Sequence, residues 1–200
     1  MNNKNKIFKE ILDYVKVIVI AIVIATLIST QVFTFSQVQQ KSMEQTLIEN
    51  DAILIEKISL LFHEPKIGEI VVLLEGVEVN NSFFGKIERL YVDLYNKFRK
   101  VEFENRLVKR VIGLPGDMID IKEGKVFVND VALVEPYVTS ETDAKGMEVP
   151  FTVQPGQVFV LGDNRAVSMD SREFGCVDLK QIEGIAVFRI YPLNKIGVLE

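Results

Sequence analysis

Ser42 and Lys109 are of the types that can form a nucleophile and its base. A serine hydroxyl attacks a peptide carbonyl efficiently only when a neighbouring group removes its proton. Histidine is the usual base, and the only histidine, His63, stands in a loop-like stretch, where an exposed side chain without a role is the more usual case. A lysine amine can act instead when burial keeps it uncharged near neutral pH. The residue types therefore suggest a Ser-Lys dyad, with His63 as the competing base.

The sequence around Lys109 is apolar. In a β-strand alternate residues share a face, so Leu107, Lys109 and Val111 would point the same way and Arg110 the opposite way. Two apolar neighbours on that face would keep water from the amine. A lone lysine in a strand is more often a solvated surface residue, so spacing alone leaves both interpretations open.

The segment before Ser42 is long and apolar. Val17–Phe35 carries no charge, and a helix of this length crosses most of a hydrocarbon layer of about 30 Å. A cleaved secretory signal is the competing interpretation, but the run is longer than usual for one, and no small-residue cleavage site follows at the expected spacing. We predict a retained transmembrane anchor over 15–36, preceded by a tail over 1–14.

Basic residues are concentrated before this segment. The four lysines that precede or begin it are Lys4, Lys6, Lys9 and Lys16, whereas Lys41 is the only basic residue immediately after it. The positive-inside rule places such an N-terminus in the cytoplasm. Residues 37–200 are therefore expected outside the membrane as one domain, with Ser42 close to the membrane face.

This remaining part of the chain alternates short β-type runs with turn signals. The predicted strands are Ala52–Lys57, Glu69–Leu74, Arg106–Ile112, Met118–Lys122, Lys125–Val128, Gln157–Leu161 and Gly184–Tyr191. Glycine and proline mark turns at 122–125 and 113–117. The expected fold class is mainly β, with a single N-terminal transmembrane helix followed by an antiparallel β domain.

One stretch departs from the β pattern. Aromatic and apolar residues recur at three- and four-residue spacing between Phe83 and Phe98, which predicts an amphipathic helix inside an insertion at about 76–105. This helix could pack its aromatic face on the β domain or lie in the lipid interface. We favour the first placement, because a single amphipathic helix beside a β domain usually covers the core of that domain.

Composition excludes several classes of protein. A net charge of −5 argues against a nucleic-acid partner, which would favour a basic surface. A single cysteine, Cys176, excludes an internal disulfide framework and a cysteine-built zinc site. The proposed chemistry requires no metal or cofactor.

Three blocks of sequence resemble those of the bacterial type I signal peptidases, which are membrane-anchored Ser-Lys proteases. Ser-Met-Glu-Gln-Thr-Leu at 42–47 is similar to the nucleophile block of that family. Lys-Arg-Val-Ile-Gly-Leu-Pro-Gly-Asp at 109–117 matches the block that carries the general base. Gly-Asp-Asn-Arg-Ala-Val-Ser-Met-Asp-Ser-Arg at 162–172 resembles the third block.

The resemblance implies a role for five residues. Ser42 would be the nucleophile, with its backbone N–H helping to hold the oxyanion. Lys109 would be the general base that later returns the proton to the leaving amine. Ser168 would bond and orient the lysine, and Asp170 and Arg172 would form an ion pair that holds the third block. The implied function is removal of N-terminal signal peptides from exported precursor proteins at a bacterial cell membrane.

The first block departs from the family pattern. Gln45 stands where relatives usually have proline, and Gln40 or Lys41 stands where they often have glycine or a hydroxyl residue. This departure keeps two alternatives open: a peptidase restricted to few precursors such as pilins, and a signal peptidase-like assembly factor for pilins that does not cut. Self-cleaving repressors also use a Ser-Lys dyad, but the anchor and the absence of a helical DNA-binding region oppose that class. The oligomeric state is not predicted.

Overall fold

The structure is a computed structural model that describes residues 3–74, 82–99 and 106–199. The helices are α1 (Asn3–Gln31), α2 (Phe83–Arg99) and α3 (Ser171–Phe174). The strands are β1 (Phe33–Gln37), β2 (Ala52–Glu56), β3 (Ile70–Leu74), β4 (Arg106–Gly113), β5 (Met118–Lys122), β6 (Lys125–Val128), β7 (Val131–Ala132), β8 (Phe151–Thr152), β9 (Gln157–Leu161), β10 (Val177–Asp178), β11 (Ile182–Tyr191) and β12 (Gly197–Val198). The insertion predicted at about 76–105 lies outside the described residues at 75–81 and 100–105.

Helix α1 contains the apolar segment. Its stretch Ile7–Gln31 is long and apolar enough to cross a membrane, and its most apolar window is not buried by the rest of the chain. A core helix of a globular domain would be covered by other elements. The exposure of α1 therefore distinguishes it from such a core helix.

Residues 32–36 of the predicted anchor lie beyond the end of helix α1. Helix α1 ends at Gln31, and Phe33–Gln37 forms strand β1, which pairs antiparallel with β2 from Phe33 opposite Glu56 to Gln37 opposite Ala52. An uninterrupted apolar run does not reveal where a helix gives way to a strand. The alternation of Phe33 and Phe35 with polar residues was the available signal.

The predicted mainly β fold is confirmed. A large antiparallel sheet has the order β1-β2-β11-β3-β4-β9-β10, and β12 adds to β11. The seven strands predicted from the sequence all form, with ends shifted by at most two residues. Strand β4, which carries Lys109, lies between β3 and β9 and is therefore held on both sides.

A second sheet has the order β7-β6-β5-β8. The hairpin between β5 and β6 turns at Glu123 and Gly124, whose φ values are 53° and 73°. Positive φ at both central residues matches the right-handed twist of the paired strands. The predicted turn at 113–117 also forms, with Gly116 at φ 92°.

Three clusters of buried apolar side chains hold the sheets. One includes Leu107 and Val111 of β4 together with residues of β3, β9 and β11. A second includes Met43 and Leu47 beside β2 and β3, and a third joins the second sheet to β9. Met43, directly after Ser42, and Leu107 and Val111, two residues to either side of Lys109, are thus fixed by core packing.

The placement predicted for α2 is wrong. Its aromatic face does not cover the β domain: Phe84, Tyr95 and Phe98 are 79%, 60% and 88% exposed. Among the described residues, none of α2 belongs to the three core clusters. Helix α2 contacts α1 through a hydrogen bond of 3.1 Å between the hydroxyls of Thr26 and Tyr91, and it contacts the large sheet through the ion pair of Asp93 with Arg106 of β4.

Candidate active site

The structure brings Ser42 and Lys109 together. Lys109 Nζ lies 2.7 Å from Ser42 Oγ, although the residues are 67 positions apart in the sequence. Ser42 is 7% exposed and Lys109 is fully buried. A hydroxyl and an amine at this distance can exchange a proton directly, and burial excludes the water that would compete for it.

Ser42 is positioned by a short turn with a buried flank. It lies in a single 3₁₀ turn, Lys41–Met43, and the side chain of Met43 is packed in the core. The amide of Leu47 donates to the carbonyl of Met43 at 2.7 Å and closes the following turn. Core packing on one side of Ser42 leaves its hydroxyl directed to the strand that carries the lysine.

Lys109 is positioned by the large sheet. Its partner across the antiparallel pair β3–β4 is Val71, which belongs to the same core cluster as Leu107 and Val111. The apolar residues predicted beside Lys109 on its strand face are therefore buried in the core. An apolar environment disfavours a charged amine, which is the condition a lysine base requires.

Gly162 lies against both serines of the site. A side chain at this position would collide with the backbone carbonyl of Ser42 and with the hydroxyl of Ser168. The amide of Asn164 donates to the carbonyl of Ser42 at 3.0 Å, and its side chain donates to the carbonyl of Lys41 at 3.2 Å. The loop after β9 thus holds the backbone of the nucleophile through close approach at a glycine.

Asp170 and Arg172 form the ion pair that the sequence resemblance implied. Arg172 Nε and Nη2 donate to the two oxygens of Asp170 at 2.8 and 2.9 Å, and both side chains are buried. Asp170 also accepts from the amide of Gly162 at 3.1 Å. Burial alone would raise the pKa of the Asp170 carboxyl, but Arg172 and this amide hold that pKa below its ordinary value. The pair ties the end of the loop to its beginning.

Ser168 is fully buried beside Gly162. Its Oγ lies beside Asp170, and the interaction of the two side chains contributes to the lowered pKa of that carboxyl. Asp170 therefore contacts Ser168 as well as Arg172 and the amide of Gly162. The support of Lys109 by Ser168 stays a prediction.

A second buried network joins all three blocks, and the sequence analysis did not identify it. Arg110 donates from Nε and Nη2 to Asp163 at 2.9 and 2.7 Å, and Thr46 donates to the same carboxylate. Arg110 also donates to the carbonyl of Gly68 at 2.7 Å. The available signal was one arginine and one aspartate within blocks already singled out for other residues.

An aromatic ring covers this network. The guanidinium of Arg110 lies 3.8 Å from the ring centroid of Tyr137. Burial, together with the charge of Glu135, raises the pKa of the Tyr137 hydroxyl to about 12. Glu135 itself pairs with the buried Arg165, which also donates to the carbonyl of Gly162 at 3.1 Å. The loop after β9 is therefore held by charged contacts from several directions.

His63 is not part of this arrangement. It is exposed, and its Nδ1 lies 2.9 Å from the carbonyl oxygen of Glu64. It lines a cavity whose walls include neither Ser42 nor Lys109. The described residues contain no cluster of three or more histidine, cysteine or acidic side chains that could hold a metal ion.

Comparisons with known proteins all find signal peptidases or processing peptidases. The family model described as signal peptidase, peptidase S26, matches residues 11–191. The signal peptidase I of Bacillus licheniformis is 33% identical over 98% of this chain and 94% of its own length. The signal peptidase I of Leptolyngbya laminosa is 34% identical over 94% of this chain and 84% of its own.

More distant matches include a plant protein and a crystal structure. The thylakoidal processing peptidase 1 of Arabidopsis thaliana is 30% identical over 96% of this chain and 52% of its own length. A solved signal peptidase I from Enterococcus faecalis is 27% identical, covers 62% of this chain and 97% of its own, and has a TM-score of 0.43.

Proposed function

The chain belongs to the S26 family of signal peptidases, and we propose that it cuts signal peptides from precursor proteins with Ser42 as nucleophile and Lys109 as base. The observation that carries this proposal is the distance of 2.7 Å between Lys109 Nζ and Ser42 Oγ, both in buried side chains. The family supplies the reaction, which is hydrolysis of a peptide bond. The two side chains supply the groups that the reaction needs.

In the first half of the reaction Lys109 Nζ takes the proton of Ser42 as Oγ bonds to the scissile carbonyl carbon. The carbonyl oxygen becomes an oxyanion, and the backbone N–H of Ser42 donates to it. When the C–N bond breaks, the Lys109 ammonium gives its proton to the leaving amine. The result is an ester between Ser42 and the acyl part of the substrate, with Lys109 again uncharged.

In the second half a water molecule attacks this ester. Lys109 Nζ takes a proton from the water, and then returns it to Ser42 Oγ as the ester bond breaks. The free carboxylic acid leaves, and the enzyme returns to its starting state. In each half of the reaction Lys109 therefore accepts one proton and passes it to the leaving group.

Three further residues are proposed as positioning groups. Ser168 would accept a hydrogen bond from Lys109, since its buried hydroxyl and the backbone of Ser42 both lie against Gly162. Asp170 and Arg172 would keep the loop after β9 in register, because Asp170 bonds the amide of Gly162 beside both serines. Charged pairs of this kind fix the geometry of their neighbours more reliably than they add stability.

The part of α1 from residue 15 onward is proposed as the anchor, with residues 1–14 as a cytoplasmic tail and residues 37–200 as a peptidase domain on the far side of the membrane. The exposed apolar face of α1 and the lysines at its start support this orientation. The nucleophile then lies eleven positions after Gln31, where α1 ends. A signal peptide that is still in the membrane would present its cleavage site at the same level.

The alternative of a non-proteolytic assembly factor for pilins is not favoured. The relatives of this chain are named as peptidases. Ser42 and Lys109 are both present, and their side chains lie within hydrogen-bonding distance of each other. A restriction to few precursors, such as pilins, has no observation in its favour. Both alternatives are separate outcomes of the same experiment.

The experiment uses the purified full chain in detergent with a general secretory precursor and with a pilin precursor. We expect the wild type to release a signal peptide from the secretory precursor and the Ser42→Ala variant to release none. Cleavage of the pilin alone would indicate a restricted set of precursors. An intact precursor in every reaction, or equal cleavage by wild type and Ser42→Ala, would contradict the proposed function.

A further inference from the structure

A cavity of about 440 Å³ lies where the C-terminal end of α1 meets α2. Its walls include Ser29 and Thr30 of α1, the turn Ser59–Leu61 and the first residues of β11. Neither residue of the Ser-Lys pair lines it. The cavity is therefore a site separate from the peptidase centre.

Three cationic side chains line this cavity: Lys57, Lys86 and Arg89. Lys57 pairs with Glu183 at 3.2 Å. Lys86 reaches only the neutral side-chain oxygen of Gln31, at 3.5 Å, and forms no ion pair within the described part of the chain. Burial, followed by the charges of Lys57 and Arg89, lowers the pKa of Lys86. Within this group of three cations, Lys86 therefore has a charge that no described carboxylate neutralises.

Of the three carboxylates that line the cavity, two already pair with cations. Glu183 is shared between Lys57 and Arg106, which approaches it to 2.6 Å. Asp93 pairs with Arg106 at 2.5 Å. A third carboxylate, Glu64, is exposed at the rim. An anion that entered beside Lys86 would therefore meet a cation that has no ion pair within the described part of the chain.

The position of the cavity points to a lipid as the source of that anion. The hydrogen bond between Thr26 and Tyr91 holds α2 beside the last turns of the apolar helix. Beside the cavity, Leu61 and Phe62 are exposed, and Phe98 continues the exposed apolar surface along α2. Aromatic and basic side chains on one amphipathic helix are typical of the lipid interface. A soluble anion would make no use of these apolar groups.

We propose that this cavity binds the phosphate of an anionic phospholipid headgroup of the outer leaflet through Lys57, Lys86 and Arg89, with α2 lying in the interface. The inference rests on the anchoring and orientation of α1 proposed above. The phosphate would neutralise the cluster at Lys86. The acyl chains would lie against α1 and the apolar face of α2, so that the cavity fixes the β domain at the membrane surface.

The chain contains no tryptophan, so a single one can report on neighbouring lipids. Leu61→Trp places the reporter at the cavity, and Phe98→Trp places it at the far end of α2. Each full-length variant is reconstituted in nanodiscs of phosphatidylcholine and phosphatidylglycerol, with one of the two lipids brominated as a quencher. We expect brominated phosphatidylglycerol to quench the cavity reporter several-fold more than brominated phosphatidylcholine at equal mole fraction, and the two lipids to quench the distant reporter equally.

Charge variants in the Leu61→Trp background test the cations. Removing Lys86 and Arg89 by Lys86→Gln and Arg89→Gln is expected to reduce the preference for phosphatidylglycerol by roughly fivefold per charge. Lys86→Arg with Arg89→Lys is expected to keep it. Lys125→Gln, an exposed lysine on the second sheet, is the matched control and is expected to leave the preference unchanged. Circular dichroism confirms that each variant is folded.

Three results would overturn the proposal. Equal quenching by the two lipids at Leu61→Trp would exclude a headgroup preference. A preference that survives the loss of both charges would assign it to the membrane surface as a whole. A preference abolished by inorganic phosphate, but not by chloride at the same ionic strength, would make the site one for a soluble anion. Cleavage in detergent tests the peptidase proposal independently of all three.

Discussion

Arg110 and Asp163 form a buried ion pair that joins the strand carrying Lys109 to the loop that packs against Ser42. Two hydrogen bonds, of 2.9 and 2.7 Å, connect them, and each side chain is at most 1% exposed. Thr46, four residues after Ser42, donates to the same carboxylate. The three parts of the proposed site are therefore held to one another by a single carboxylate.

Loss of this carboxylate should destabilise the protein strongly. Asp163→Ala leaves the guanidinium of Arg110 buried without its anion, and we expect the free energy of unfolding to fall by about 3–5 kcal/mol. The double variant Arg110→Met with Asp163→Leu should recover a large part of this loss, because no unpaired charge remains. Urea unfolding of the full chain in detergent measures both.

The control for this pair is Lys122→Ala, which removes the exposed member of an ion pair with Asp120 and should change the stability little. A double variant that is less stable than Asp163→Ala would contradict the argument. It would mean that the ion pair itself adds more to the free energy of unfolding than is lost by leaving Arg110 buried without its anion.

The proposed base predicts a specific response to mutation and pH. Lys109→Met should lower the cleavage rate by about a thousandfold or more, because Ser42 then has no proton acceptor. His63→Gln should leave the rate close to that of the wild type. The wild-type rate should fall as the pH is lowered, since a protonated amine cannot accept a proton. Damage from His63→Gln, or a rate that rises toward acid pH, would refute the dyad.

Gly162 predicts that a single methyl group is enough to disable the site. In Gly162→Ala the added carbon would collide with the carbonyl of Ser42 and the hydroxyl of Ser168. Neither neighbour can withdraw easily, because both lie in buried, bonded segments. We expect cleavage to fall by about a hundredfold or more, as a small displacement of a reacting atom can do. The control is Gly156→Ala, whose added carbon meets no atom within 4 Å. Because Gly156 has a positive φ, this variant strains the backbone but causes no collision.

Gln45 shows how a departure from a family pattern is accommodated. Its φ is 94°, a value that proline cannot adopt and that non-glycine residues rarely do. The turn after Ser42 thus has a backbone that excludes the residue usual at this position in relatives. Gln45→Gly should be neutral or stabilising, whereas Gln45→Pro should lower both the melting temperature and the cleavage rate. Thermal unfolding and a precursor cleavage assay measure both variants. Equal melting temperatures and equal cleavage rates for the two variants would mean that the turn can adopt another backbone conformation.

The sequence predicted the parts of the fold that depend on local pattern. The seven main strands and the hairpin at Glu123 and Gly124 followed from alternation and turn residues. The end of α1 did not, because Phe33 and Phe35 continue the apolar run while belonging to a strand. The placement of α2 was wrong because an amphipathic pattern records an apolar face but not its partner, which here includes α1 at Thr26.

The candidate site was predicted by resemblance more than by spacing. Ser42 and Lys109 were singled out through motif blocks, and the distance between them came only from the structure. The contact between Arg110 and Asp163 could not be inferred, because residues in a strand and a distant loop meet only once the sheet order is known. The close approach at Gly162 was missed for the same reason.

The ion pairs of Glu183 with Arg106 and Lys57 predict how the stability of the protein depends on pH. Burial alone would raise the pKa of Glu183, but the charges and hydrogen bonds of Arg106 and Lys57 lower it from 4.5 to about 2. A carboxyl whose pKa is lower in the folded state stabilises that state above its unfolded pKa, and this contribution is lost as the pH falls toward the folded value. The contribution of Glu183 should therefore be complete above about pH 5 and disappear toward pH 2.

Glu183→Gln tests this prediction. At neutral pH the variant should be less stable than the wild type by on the order of 3 kcal/mol, the free energy that corresponds to the shift in pKa. The difference should shrink as the pH is lowered from 5, because the wild-type carboxyl also becomes neutral. Glu123→Gln, in the exposed hairpin turn, should show no such trend. Urea unfolding of the full chain in detergent at several pH values measures the difference. A gap that stays constant down to pH 3 would mean that Arg106 and Lys57 do not hold Glu183 in its charged form.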